Sequence, residues 1–66
     1  MRIFLNGEIR DIQEGSTVSV LLKTLGFQEE GVVVERNGDI VERSQYATTT
    51  LSENDKLELV RFVGGG

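Results

Sequence analysis

Cysteine and histidine are both missing from this sequence. Without cysteine, no disulfide staples the fold and no thiol does chemistry, which suits a reducing compartment. With neither residue, zinc sites and Ser/His or Cys/His nucleophile pairs are excluded. Proline is absent as well, and there is no repeat, no low-complexity linker and no sign of a second domain. No apolar run is long enough to span a membrane, and no signal-peptide core follows Met1. No basic stripe appears either: the net charge is −4 and the pI about 4.6. The sequence therefore predicts a cytoplasmic protein that binds neither nucleic acid nor membrane. At 66 residues there is room for one domain and one small core. Such a chain buries roughly 60% of its unfolded surface, too little for a deep pocket and a sound core together. That argues against a self-contained enzyme.

The chain that remains is strongly patterned. Residues 1–5 alternate, with Ile3 and Leu5 facing one way and Arg2 and Phe4 the other, as a half-buried strand does. Asn6-Gly7 is a hairpin signal, because both residues tolerate positive φ. A return strand is expected over residues 8–12. Ser16 or Thr17 can cap a helix whose apolar stripe is Val18, Leu21, Leu22 and Leu25, with Gly26 placed to end it. Residues 32–36 are β-branched and strand-like, Asn37-Gly38 is a second hairpin turn, and residues 39–42 begin the return. Residues 44–50 are polar and turn-rich around Tyr46. Glu53-Asn54-Asp55 turns into a last strand over residues 56–63. The order fits an α+β fold of the β-grasp, or ubiquitin-like, arrangement: a mixed sheet of about four to five strands packed on one main helix. The domain is expected over residues 1–63 and a flexible glycine tail over 64–66. The expected core is Ile3, Leu5, Val18, Leu21, Leu22, Leu25, Val32, Val34, Leu57 and Leu59.

No conventional catalytic constellation emerges. Glu29 and Glu30 stand beside Gly31 in a loop and are expected to be solvated. Lys23 lies off the helix stripe, and the serines lack a base to activate them. The glycines before the last three are scattered over separate turns and form no phosphate-cradling loop. The concentrated anomaly is Gly64-Gly65-Gly66, directly after the last strand. An α-carboxyl is ionised at neutral pH and is a poor electrophile until converted to an activated ester. An enzyme that does so must admit the chain end beside ATP, and glycine has no Cβ to block that approach. Three glycines can reach at most about 10 Å.

At "FLNGE", "STVSVLLKTLG", "VVVERNGDIVERSQY" and "NDKLELVRFVGGG" the chain resembles the ThiS family, the sulfur carriers of thiamin thiazole biosynthesis. The resemblance covers essentially the whole length. Some members carry Pro where this chain has Glu42 and Trp where it has Tyr46. The resemblance implies a carrier and co-substrate rather than a catalyst, with no bound cofactor and no metal. A ThiF-like adenylyltransferase would use ATP and Mg²⁺ to adenylate the Gly66 carboxylate. Sulfur from a cysteine desulfurase, or another sulfur donor, would then leave Gly66 as a thiocarboxylate. Thiazole synthase would take that sulfur. Gly64 and Gly65 would give access, and Phe4, Val60 and Phe62 are expected to form an apolar partner-binding surface near the tail. Two other readings stay open: a sulfur carrier for molybdopterin synthesis, and a ubiquitin-like binding module without tail chemistry.

Overall fold

The computed structural model describes residues 1–62. Val63 and the expected 64–66 tail lie outside the described residues. The elements run β1 (Arg2–Leu5), β2 (Glu8–Asp11), α1 (Val18–Leu25), β3 (Val32–Arg36), β4 (Asp39–Val41) and β5 (Lys56–Arg61). Short 3-10 turns sit at Glu29–Gly31 and Arg43–Gln45. The strands form one sheet in the order β2-β1-β5-β3-β4. β5 runs parallel to β1 and antiparallel to β3, so the sheet is mixed and one helix covers it, the β-grasp arrangement.

Local chemistry accounts for each element. Both hairpins close on two residues of positive φ: Asn6 at 48° and Gly7 at 82°, then Asn37 at 53° and Gly38 at 89°. That is the type I′ requirement, and it matches the twist of the flanking strands. The Thr17 hydroxyl accepts the Val20 N–H at 3.2 Å and caps α1. Gly26, at φ 82°, ends the helix in the left-handed region, and its N–H reaches the Leu22 and Lys23 carbonyls.

The core lies between the helix and one face of the sheet. Ile3, Leu5, Val32, Val34, Leu57 and Leu59 come from the strands, and Val18, Leu21 and Leu22 from the helix. Leu25 differs from expectation. It sits in the last turn of α1 and packs against the core edge only partly buried. Two residues close the core in its place. Tyr46 and Leu51 are 2% and 3% exposed. The Tyr46 hydroxyl donates to the Val32 carbonyl at 2.9 Å, which satisfies its polar end inside the core. Burial pushes the Tyr46 phenol above its ordinary range.

The polar stretch before β5 is therefore structural. Its carbonyls take up helix N–H groups that no intrahelical partner can reach: Val18 N–H donates to Thr49 and Ser19 N–H to Tyr46, at 3.1 and 2.9 Å. Leu51 N–H returns to the Ser16 carbonyl at 2.9 Å. Among the described residues no helix is long and apolar enough to cross a membrane.

Candidate functional site

β5 is the strand that leads to the glycines. Its alternation sends Leu57 and Leu59 into the core and Lys56, Glu58 and Val60 to the outer face of the sheet. Val60 is 54% and Phe62 66% exposed. Val60 stands opposite Val33 on β3, and Phe62 N–H donates to the Gly31 carbonyl at 3.0 Å. Ile40 on β4, 69% exposed, pairs with Glu35, one outward position along β3 from Val33. Val33, Ile40, Val60 and Phe62 thus form one apolar zone beside the exit of the chain. Ile40, Val33 and Phe62 line a shallow cleft of ≈ 300 Å³ whose charged lining is Glu29, Glu30, Glu42 and Arg43. The zone is apolar at its centre, and three carboxylates and one guanidinium lie at its edge.

Phe4 does not join it. β1 runs parallel to β5 and puts Phe4 beside Lys56, with the register ending at Leu5 and Leu57. Val60 is four residues beyond Lys56, about 13 Å along the strand. Phe4 is half-buried and pairs instead with the exposed Ile9 of β2. The expected surface of Phe4, Val60 and Phe62 is split in two, with Lys56 and Glu58 between the parts. Arg61 lies on the opposite face, its guanidinium 4.6 Å from the Phe27 ring centroid.

Other expected site features resolve plainly. Glu29 is not free in solvent: its carboxylate accepts the Ser19 hydroxyl at 2.7 Å and fastens the loop to the helix. That serine does have a carboxylate beside it, but among the described residues no third group orients the pair as a nucleophile and base require. Among the described residues no cluster of acids could hold a metal ion. Gly64, Gly65 and Gly66 lie outside the described residues.

The ThiS family model matches residues 3–66. The chain belongs to the ThiS family. Its relatives in that family include the sulfur carrier protein ThiS of Bacillus subtilis, 35% identical, over 94% of this chain and 96% of that protein. A crystal structure of the thiamine biosynthesis protein ThiS from Geobacter metallireducens superposes with a TM-score of 0.85. The two are 36% identical, and all of both chains is covered. A thiazole synthase of Magnetococcus marinus is 47% identical over all 66 residues. The chain spans 20% of the length of that protein, and 20% of a second thiazole synthase, from Paramagnetospirillum magneticum.

Reading residues in order missed two parts of this site. Val33 and Ile40 escaped because strand pairing, not proximity in sequence, brings them to Val60. The pattern that marks them is the outward half of the β3 and β4 alternation. In the sequence Asn6 is a turn residue alone, yet its side chain also bonds Leu59 of β5.

Proposed function

We propose that this chain is a sulfur carrier for thiazole formation, with Gly66 as the residue that bears the cargo. The observation that carries the reading is the family match, which runs through the three glycines at 64–66. The reading requires a free α-carboxylate on Gly66. A ThiF-like adenylyltransferase, using ATP and Mg²⁺, transfers AMP to that carboxylate and releases pyrophosphate. The terminal sulfur of a persulfide, formed on a cysteine desulfurase or a comparable donor, attacks the acyl carbon, and AMP leaves. A thiol then cleaves the new S–S bond and frees the Gly66 thiocarboxylate. Thiazole synthase receives the sulfur. Two proteins bearing that name contain a stretch similar to the whole of this chain, which supports the pairing.

The outer-face zone of Val33, Ile40, Val60 and Phe62 gives these partners something to hold while the chain end reacts. Exposed apolar residues on and around the strand that leads to a reactive terminus favour docking, and the glutamates near them favour a partner with a basic rim. The protein supplies the carboxylate and the partner supplies the catalysis.

The test is charging with sulfur in the presence of the adenylyltransferase, ATP, Mg²⁺ and a sulfur donor, read by intact mass. The expected result is exchange of one oxygen for one sulfur, mapped to Gly66. An alanine added after Gly66 moves the carboxylate and puts a Cβ on the reacting residue. Gly65→Val leaves the carboxylate in place and sets a β-branched side chain in the path. Both are expected to fold, since among the described residues the buried core ends at Leu59. Both are expected to lose at least about an order of magnitude in adenylation. Charging of both variants at the parent rate would favour a binding module without tail chemistry.

A further inference from the structure

The two sides of β5 are supported unequally. On the β3 side pairing extends from Leu57 opposite Arg36 to Arg61 opposite Val32, and Phe62 continues it to Gly31. On the β1 side the register is two pairs long. It ends where Asn6 N–H donates to the Leu57 carbonyl at 2.8 Å, and there the chain turns away. Leu59 is the next residue whose N–H and carbonyl face that side. Without a partner, both would open onto the gap that β1 leaves.

The Asn6 side chain fills that gap. Its Oδ1 accepts the Leu59 N–H at 2.8 Å, and its Nδ2 donates to the Leu59 carbonyl at 3.3 Å. A carboxamide carries the same donor and acceptor as a peptide unit, so it can replace one rung of a ladder. The turn itself does not ask for this. At φ 48° glycine would serve the backbone as well.

We propose that Asn6 is a positioning residue for the chemistry at the chain end: its carboxamide stands in for the missing rung of β1 and sets the bearing of the last stretch of β5, which past Leu59 is paired on the β3 side through Arg61 and Phe62 before the chain leaves the sheet. The inference rests on the sulfur-carrier reading and adds the residue that aims the cargo. Past Leu59 the described chain is held from the β3 side through Arg61 and Phe62. Docking on the outer-face zone fixes the body of the carrier but not the direction of the chain beyond it. Reaction at a carboxylate inside a narrow channel depends on direction, since small misplacements cost large factors in rate.

The experiment is steady-state adenylation of the whole chain by its adenylyltransferase, with ATP and Mg²⁺, read as pyrophosphate release. It compares the parent with Asn6→Gly and Asn6→Asp, alongside amide exchange. Glycine removes the carboxamide without straining the turn. Aspartate keeps an acceptor for the Leu59 N–H and loses the donor. Asn6→Gly is expected to unfold as cooperatively as the parent and to lose exchange protection at the Leu59 amide. Its kcat is expected to fall about tenfold with KM held within about twofold, the pattern of a group that aims rather than binds. Asn6→Asp is expected to recover part of kcat, and it decides the matter by the same readout if the glycine variant fails to fold. Parent values of kcat and KM alongside lost Leu59 protection would overturn the proposal. So would a fall in kcat with that protection intact. A parent chain that takes no adenylate at all would overturn the sulfur-carrier reading, and this inference with it.

Discussion

The same dipeptide, Asn-Gly, closes both hairpins, and the two asparagines do different work. Each sits at positive φ, and each backbone N–H donates to a β5 carbonyl at 2.8 Å, Asn6 to Leu57 and Asn37 to Lys56. Their side chains then part ways. Asn37 braces the start of β5: its Oδ1 accepts the Lys56 N–H at 2.9 Å and its Nδ2 donates to Asp55 at 3.0 Å. Asn6 braces the other end, at Leu59. The Asn37 end is part of a polar cluster around the buried Asp55. There the Asp55 carboxylate also accepts Arg36 Nε at 2.8 Å and the Ser52 N–H at 2.7 Å. Among the described residues the Asn6 end has no such cluster, and it lies toward the end of β5. One turn sequence therefore anchors a strand for stability at its start and for direction at its finish.

The comparison breaks most visibly at Asp55. Asp55→Ala strips one acceptor from three donors at once and is expected to cost about 2–4 kcal/mol. Most of that comes from the part-buried hydrogen bonds that Ser52 and Asn37 donate to the buried carboxylate. The Arg36 side chain is 31% exposed, so water screens its ion pair. In a domain with a margin of only a few kcal/mol this approaches complete unfolding. A urea midpoint equal to the parent's would show that the cluster does not anchor β5.

The same carboxylate gives a pH signature. Burial alone would raise its pKa, but the Ser52 N–H, Asn37 and Arg36 together outweigh burial and hold it below the ordinary carboxylate value. The folded state then releases the proton more readily than the unfolded chain. The stability gained is full above the unfolded pKa of about 3.9 and is lost as pH falls through the lower folded value. Urea midpoints measured from neutral to acid pH should therefore drop below pH of about 4 in the parent. Asp55→Asn, less stable at neutral pH, should lack that portion of the drop; an identical acid profile would place the titration elsewhere.

The finest test sets the two asparagines against each other. Asn37→Gly leaves Asp55 one donor short and is expected to cost about 1–2 kcal/mol while adenylation kcat stays at the parent value. Asn6→Gly is expected to cost about 1 kcal/mol or less, because its carboxamide serves the Leu59 backbone and no buried carboxylate, and yet to lower kcat. Equal effects of the two variants on both stability and kcat would erase the distinction.

Much of this fold can be read from the order of residues. Both turns and the helix bounds follow from local chemistry that needs no tertiary partner: positive φ at Asn-Gly, a Thr17 cap and a Gly26 stop. What could not be read required partners distant in sequence. Tyr46 and Leu51 sit among serines, threonines and glutamates, so no periodicity marks them as core. They are buried because the helix N-terminus needs carbonyls and the sheet needs a lid. Leu25 has the right spacing for the stripe, but the helix ends before it can turn fully inward. Phe4 was grouped with Val60 on strand adjacency. The parallel register, which no local pattern encodes, places it four residues short. Asn6 was legible as a turn and illegible as a rung, since the Leu59 groups it holds lie 53 positions away.

The place of β5 in the sheet also orders events during synthesis. It is the last described strand to leave the ribosome and the middle strand of five. The β1–β2 and β3–β4 hairpins have no ladder joining them except through it. Before residues 56–61 emerge, the chain can form at most two hairpins and a short helix, none of which is stable alone in water. The sheet therefore closes in one late step, across contacts between the two ends of the chain, and a chain cut before Lys56 is expected to show no cooperative unfolding transition.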